Sequence, residues 1–342
     1  MSTTKRPRYW SVIAPAPAAE LTAMCRMLEA AGLDGLFAPQ VLGPPWIPLA
    51  VAAAVTDRVM LGSGIAIAAA RSPFETAMAA LDMDRLSGGR FVLGLGTSVL
   101  AWTRGIFGSP VDKQVSHLRE TVAAVRHIVA GAHRGLTPFE GEFYRADFRE
   151  LQATAPPVRP SIPIWIAALR SKMVQLAAEV GDGLIGHPMW SMEWTLEHMR
   201  PEFEAALARA GRRREDVEVN LWYWAAPGPD VREAIDDSRP TMAFYGGVAQ
   251  YESFFAAHGF GDVARKLQAA VQRGDYQSAA SLVPDEMVRT FVAVGGPDEI
   301  RARFAAVGGF ADSLCVVPPV YALSGEKAMS YGAAIAQALY VA

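Results

Sequence analysis

Two cysteines, Cys25 and Cys315, are all the chain has, so neither a disulfide framework nor a cysteine zinc cluster can hold it together. Each lies in an apolar context, which marks it as a core residue. Lysine is scarce too: five lysines stand among 32 basic residues, and 35 acidic residues bring the net charge to −3. Acid and base are interspersed, which leaves no basic face for nucleic acid and no polybasic run for a membrane surface. No segment approaches the ~18 apolar residues of a membrane span. Residues Met1 to Arg8 are polar and basic with no apolar run behind them, so the expectation is a cytoplasmic protein. Also lacking are a phosphate loop, a His-Glu-x-x-His helix, a nucleophile elbow and a Gly-x-Gly-x-x-Gly after a first strand. Any hydride chemistry must then come from a bound cofactor, and the partner to expect is a small molecule.

What is present is a chain of 342 residues, 51% hydrophobic, long enough for one large α/β domain. The stretch Asp84 to Ser98 packs a helix end, a turn, a buried strand and a glycine-rich mouth into fifteen residues. Gly88-Gly89 stops a helix with periodic apolar positions at Met78, Leu81 and Leu86, and Phe91–Leu95 is a short apolar run. Eight such β-rich runs alternate with helical stretches: Tyr9–Ala14, Gly35–Ala38, Val59–Ala66, Phe91–Gly96, Ile162–Ala168, Gly183–Gly186, Val217–Ala225 and Ser313–Val317. That is the arithmetic of an α/β (β/α)₈ TIM barrel spanning residues 1–342 as one domain. Two segments exceed the minimal unit. Residues 99–161 add a helix around Val115–Val129 and a Pro-rich return, and residues 226–295 add helices near Met242–His258 and Val263–Gln272. Loops this long are lids or binding elements.

In a barrel of this class the chemistry is built at the C-terminal ends of the strands. Thr97 and Ser98 follow the fourth strand and offer hydroxyls to a ring system, or else stabilise a turn. Ala168-Leu169-Arg170-Ser171 joins the fifth strand to its helix, so free backbone N–H groups there can hold a phosphate or polar tail. Lys172 adds charge but reads equally as a solvated side chain. His187 follows the sixth strand with Pro188 beside it and can supply a proton or a hydrogen bond, or cap its loop. Trp46, Trp102, Trp190, Trp222 and Trp224 suggest an aromatic, largely apolar substrate pocket, with core packing accounting for some of them. Ser72 and Pro73 suit a helix cap and first turn, and Arg119-Glu120 reads as an internal charge pair. No metal site is expected.

Several motifs in order carry a resemblance: Leu61-Gly62-Ser63-Gly64-Ile65, Ala70-Arg71-Ser72-Pro73, the Asp84 to Ser98 stretch, Pro163-Ile164-Trp165-Ile166-Ala167-Ala168, Gly181-Asp182-Gly183-Leu184-Ile185-Gly186-His187-Pro188, and Ala243-Phe244-Tyr245-Gly246. Together they resemble the luciferase-like monooxygenase superfamily, and within it the branch of oxidoreductases that use the deazaflavin coenzyme F420. The resemblance implies a non-proline cis peptide at Gly64-Ile65, pressed against the central ring of the cofactor. It implies a cofactor contact at Gln40, where sugar-phosphate dehydrogenases of the family carry an Asp-His pair and this chain has Pro39-Gln40. Where those enzymes place a Glu after the fourth strand, this chain has Val99. Their acid-base mechanism is therefore not expected here. What the resemblance does imply is hydride transfer between deazaflavin C5 and an apolar, ring-containing or unsaturated molecule, in a homodimer; the proton is expected from His187 or a bound water. An FMN-dependent monooxygenase fed by a partner flavin reductase, and a catalytically silent flavin-binding barrel, are the alternatives. High Arg relative to Lys, with abundant Ala, points to a GC-rich bacterial genome.

Overall fold

The computed structural model describes residues 6–41 and 43–340. All eight expected strands are present, with ends shifted by a few residues: β1 (Arg8–Val12), β2 (Gly35–Ala38), β3 (Met60–Ser63), β4 (Phe91–Gly96), β5 (Ile164–Ala167), β6 (Gly183–Ile185), β7 (Glu218–Pro227) and β8 (Ser313–Val317). The described residues form two compact units: Arg8–Gly186 with Met199–Asn220, and His187–His198 with Leu221 onward and residues 6–7. No described helix is long and apolar enough to cross a membrane.

In the first unit β1 to β6 pair in parallel in chain order, and the first residues of β7 follow β6. Their inward faces alternate large rings with residues that have no side chain. Trp10 stacks on Phe37 with ring centroids 4.2 Å apart, and Trp165 leans on Trp10 at 5.3 Å. Glycine in the partner strands makes room: a Cβ at Gly35 would stand 2.3 Å from the Trp10 ring, one at Gly62 2.7 Å from Phe37, and one at Gly183 2.4 Å from Trp165. Three aromatic side chains fill the interior because the neighbouring positions are empty.

Helices cover the outward faces. Ser72 accepts the Glu75 N–H at 3.1 Å and Pro73 opens the helix Pro73–Leu86, as the cap pattern predicts. Gly88 and Gly89 both take positive φ, which ends that helix and turns the chain into β4. Leu86, expected on the apolar stripe, is instead 58% exposed, because the stripe leaves the sheet before the helix ends. Asp84 on the same helix is buried and paired with Arg159, which also donates to the Phe91 carbonyl at 2.6 Å. The 99–161 insertion holds the helices Leu100–Gly105 and Gln114–Gly131 and a small hairpin, Phe139–Glu140 with Arg145–Ala146. Arg119 and Glu120 do not pair with each other. Adjacent residues point to different sides of a helix, so Arg119 reaches Glu179 while Glu120 accepts the backbone N–H groups of Glu142, Phe143 and Tyr144.

In the second unit the distal half of β7 pairs in parallel with a short strand, Val292–Gly295, aligning Trp224 with Val292. The sequence does not announce that strand, since its apolar run continues directly from the helix Asp285–Phe291. Asp230 caps the helix Val231–Gly246 through the N–H groups of Arg232 and Glu233. The stretch expected as one helix near Met242–His258 is the end of that helix, a 3₁₀ turn at Ala249–Tyr251 and the helix Glu252–Ala257, because Gly246-Gly247 interrupts it. Helix Gly261–Gln272 follows as expected. Cys315 lies buried in β8, and Cys25 is buried in the first unit.

Candidate active site

In the first unit the ends of β2 to β5 place most of the expected contacts close together. The backbone N–H of Gln40 donates to the Ile65 carbonyl at 3.1 Å. Its side-chain Oε1 accepts the Ile67 N–H at 2.9 Å and Arg71 Nη1 at 3.0 Å. Two donors on that oxygen fix which way the amide faces, since a flip would set NH₂ against both. The amide nitrogen, Nε2, is buried and has no partner among the described residues.

Two residues before Ala66–Ile67, the Gly64-Ile65 peptide is cis. Gly64 donates to the Ala38 carbonyl at 2.9 Å, and a Cβ on it would stand 2.8 Å from Phe37. The Ile65 side chain covers Gly96, where a Cβ would lie 2.9 Å from Ile65 Cδ1 and 3.2 Å from the Ala167 Cβ. The ends of β3, β4 and β5 thus meet at this point. Thr97 and Ser98 follow Gly96, both half-buried, with Ser98 at φ 57° and the Thr97 carbonyl accepting from Gln114 Nε2.

Ala168 is buried and donates to the Ile185 carbonyl at 2.9 Å. Leu169 is half-buried, and Arg170, Ser171 and Lys172 are exposed. Arg170 occupies the cap position of the helix Ser171–Val180 with no side-chain cap bond, so the first N–H groups of that helix have no intrahelical acceptor. Trp46 and Trp102 sit on two helices of the same unit. Trp46 opens the helix Trp46–Val55, edge-on to the outward-facing Phe91 at 6.1 Å and under the Arg71 guanidinium at 5.9 Å. Trp102 sits half-buried in the helix Leu100–Gly105.

In the second unit His187, Trp190 and Trp224 are brought near one another with partners the sequence reading passed over. The Trp190 N–H donates to the His187 carbonyl at 2.9 Å, closing a tight turn, and the Met189 N–H donates to His187 Nδ1 at 3.2 Å. That bond leaves the ring proton on Nε2, so neutral His187 presents a donor. Burial pushes its pKa down to about 4, although the residue stays partly exposed. Tyr245 and Tyr251 contact the ring, with centroids at 6.1 and 5.6 Å. Trp224 is buried against Tyr245 at 4.8 Å, and Tyr321 stands edge-on to Tyr245. Trp222 is half-buried two residues before Trp224, on the same face of β7. Tyr245 belongs to the Ala243–Gly246 motif, so a signal for it existed. Tyr251 and Tyr321 stand in stretches with no periodicity to mark them.

The arrangement offers neutral donors and aromatic faces. Among the described residues no group of His, Cys, Asp or Glu could hold a metal ion. A surface cleft on the insertion, lined by Pro110, Val111, Lys113, His117, Glu142 and Phe143, contains none of the expected site residues.

The family model described as luciferase-like monooxygenase matches residues 2–312. A putative coenzyme F420-dependent oxidoreductase of Mycobacterium tuberculosis is 33% identical over 314 residues, covering 87% of this chain and 89% of that protein. Among solved structures, the coenzyme F420-dependent tetrahydromethanopterin reductase of Methanopyrus kandleri superposes with a TM-score of 0.82 at 20% identity, over 98% of this chain and 99% of the other. The oxygenating constituent of 3,6-diketocamphane monooxygenase of Pseudomonas putida, in complex with FMN, superposes with a TM-score of 0.67 at 14% identity, over 98% of each chain. These likenesses establish the fold class as the (β/α)₈ barrel, and the enzymes so matched are deazaflavin-dependent or flavin-dependent. The chain belongs to the luciferase-like monooxygenase family, whose model covers nine-tenths of its length.

Proposed function

We propose that this protein is an F420-dependent oxidoreductase acting on an apolar, ring-containing or unsaturated small molecule. The observation that carries the reading is the Gln40 amide, held in one orientation with a buried donor that has no acceptor among the described residues. A buried donor without a partner costs ~1–3 kcal/mol, and a carbonyl oxygen on a bound pyrimidine-type ring satisfies it. Gly64, Ile65, Thr97 and Ser98 surround the same strand ends with small or polar groups that allow close approach to a ring. The uncapped N-terminus of Ser171–Val180, with Ala168 to Ser171 leading into it, suits the anionic tail of such a cofactor. When bound, F420 supplies hydride chemistry at its C5. Residues at the ends of β2 to β5 would bind and orient it, and in the second unit neutral His187 offers a hydrogen-bond donor at Nε2.

A second reading, an FMN-dependent monooxygenase supplied by a partner flavin reductase, is favoured by the FMN-bound structural neighbour. A fluorescence-quench titration of the purified protein with F420, beside the same titration with FMN, separates the two. Preference for F420 supports the deazaflavin reading, and preference for FMN supports the monooxygenase reading. Binding of neither overturns both. In the same assay Gln40→Leu, which removes the donor, is expected to weaken the preferred cofactor about tenfold.

A further inference from the structure

We propose that Tyr245 is the specificity-determining residue of the ring cluster in the second unit: it anchors a wall of rings that selects planar ligands carrying a conjugated carbonyl, whose oxygen accepts a hydrogen bond from Nε2–H of His187. The inference rests on the oxidoreductase reading and deepens it by naming a substrate class.

Tyr245 is the hub of six rings. Its centroid lies 4.8 Å from Trp224, 5.3 Å from Phe244, 5.6 Å from Tyr251 and 6.1 Å from both His187 and Tyr321. It stands edge-on to His187 at 76° and to Tyr321 at 88°, which limits how the imidazole can tilt. Phe244 lies flat on Tyr321 with centroids 4.0 Å apart and is 40% exposed. His187, Tyr245, Tyr251 and Tyr321 are each partly exposed. Core rings are normally covered, and a cluster that leaves this much aromatic surface open suits a flat apolar ligand.

The polar groups narrow the class further. With Nδ1 occupied by the Met189 N–H, His187 offers a donor of fixed direction. Burial raises the Tyr245 hydroxyl well above the usual tyrosine range, so it stays protonated, and no carboxylate belongs to the cluster. Such a surface does not complement a cation with a counter-charge, and its fixed donor calls for an acceptor oxygen. The ligand's carbonyl oxygen accepts the hydrogen bond that neutral His187 donates from Nε2–H.

Equilibrium dialysis of the full chain with three probes tests this: 2-acetylnaphthalene, the near-isosteric 2-ethylnaphthalene, and cyclohexyl methyl ketone. The wild-type protein is expected to bind 2-acetylnaphthalene about tenfold more tightly than either of the others. Tyr245→Phe keeps both preferences, Tyr245→Leu loses the preference for the planar ketone over the saturated one, and His187→Phe loses the preference for the acetyl over the ethyl compound. Thermal melting checks that each variant is folded. Should Tyr245→Leu fail to fold, Tyr321→Leu, which thins the same wall, is expected to reduce the planar preference. Equal wild-type affinities for the three probes, or full discrimination retained in the folded leucine variants, overturns the proposal. F420 dialysed in parallel keeps the two readings apart: discrimination without F420 binding defeats the cofactor reading alone, and F420 binding without discrimination defeats only this inference.

Discussion

The backbone N–H of Met189 donates to Nδ1 of His187 across a two-residue turn, and this bond decides the tautomer of the histidine at the end of β6. Because burial holds the pKa at about 4, the ring is neutral throughout the physiological range.

His187 makes stability depend on pH with a definite sign. Its folded pKa lies below the unfolded value of about 6.5, so the unfolded chain takes up the proton first as pH falls. The contribution is complete above about pH 6.5 and is lost between there and about pH 4, reaching about 3 kcal/mol. Urea denaturation of wild type and His187→Gln at pH 7.5 and pH 5 measures it: the wild type should lose more stability on acidification than the variant. In an NMR titration the His187 ring signals should stay flat down to about pH 5, and a midpoint near 6.5 would contradict the assignment.

Gly94→Ala should be among the most damaging small substitutions in the protein. A Cβ there would stand 1.9 Å from the Ser63 carbonyl oxygen, which belongs to the neighbouring strand and cannot move alone. Ser63 Oγ also donates to the Gly94 carbonyl at 2.8 Å, so a shift breaks that bond too. A loss of roughly 3 kcal/mol or failure to fold is expected. Gly332→Ala, in a helix with nothing within 4 Å of the new methyl, should instead stabilise by about 0.5–1 kcal/mol. Thermal melts of the pair give the comparison.

Asp84→Ala should cost about 3–5 kcal/mol, because Asp84 is 1% exposed and its loss leaves the Arg159 guanidinium without its buried counter-charge. Asp298→Ala removes an ion pair whose carboxylate is 95% exposed and should change stability by less than about 1 kcal/mol. Chemical denaturation of both variants in one buffer decides whether burial, rather than pairing, sets the cost.

Glu120→Ala should loosen the turn at Glu142 to Tyr144, whose three N–H groups its carboxylate accepts. Hydrogen exchange at those three amides is expected to quicken by at least about tenfold, with exchange in β4 unchanged.

Much of the frame was legible along the chain. The Ser72-Pro73 start and Gly88-Gly89 stop act within a few residues of themselves, so local rules find them. The strand Val292–Gly295 escaped because it abuts a helix with no turn signal between them, and Arg119-Glu120 was misread because adjacency in sequence is not adjacency on a helix. Gln40 and His187 stood out as candidates because each closely follows a strand end. Tyr251 and Tyr321 stand 70 residues apart in featureless stretches, and nothing local joins either to His187.

By itself the sequence determined the alternation of strands and helices, the family, and the strand ends at which chemistry must be sought, because periodicity, caps and glycine stops are short-range effects. Tertiary structure alone decided which way the Gln40 amide faces, which nitrogen of His187 carries its proton, and which rings gather around Tyr245. Each of those depends on atoms far apart in the chain or on the direction of a single hydrogen bond, and neither leaves a trace in residue order.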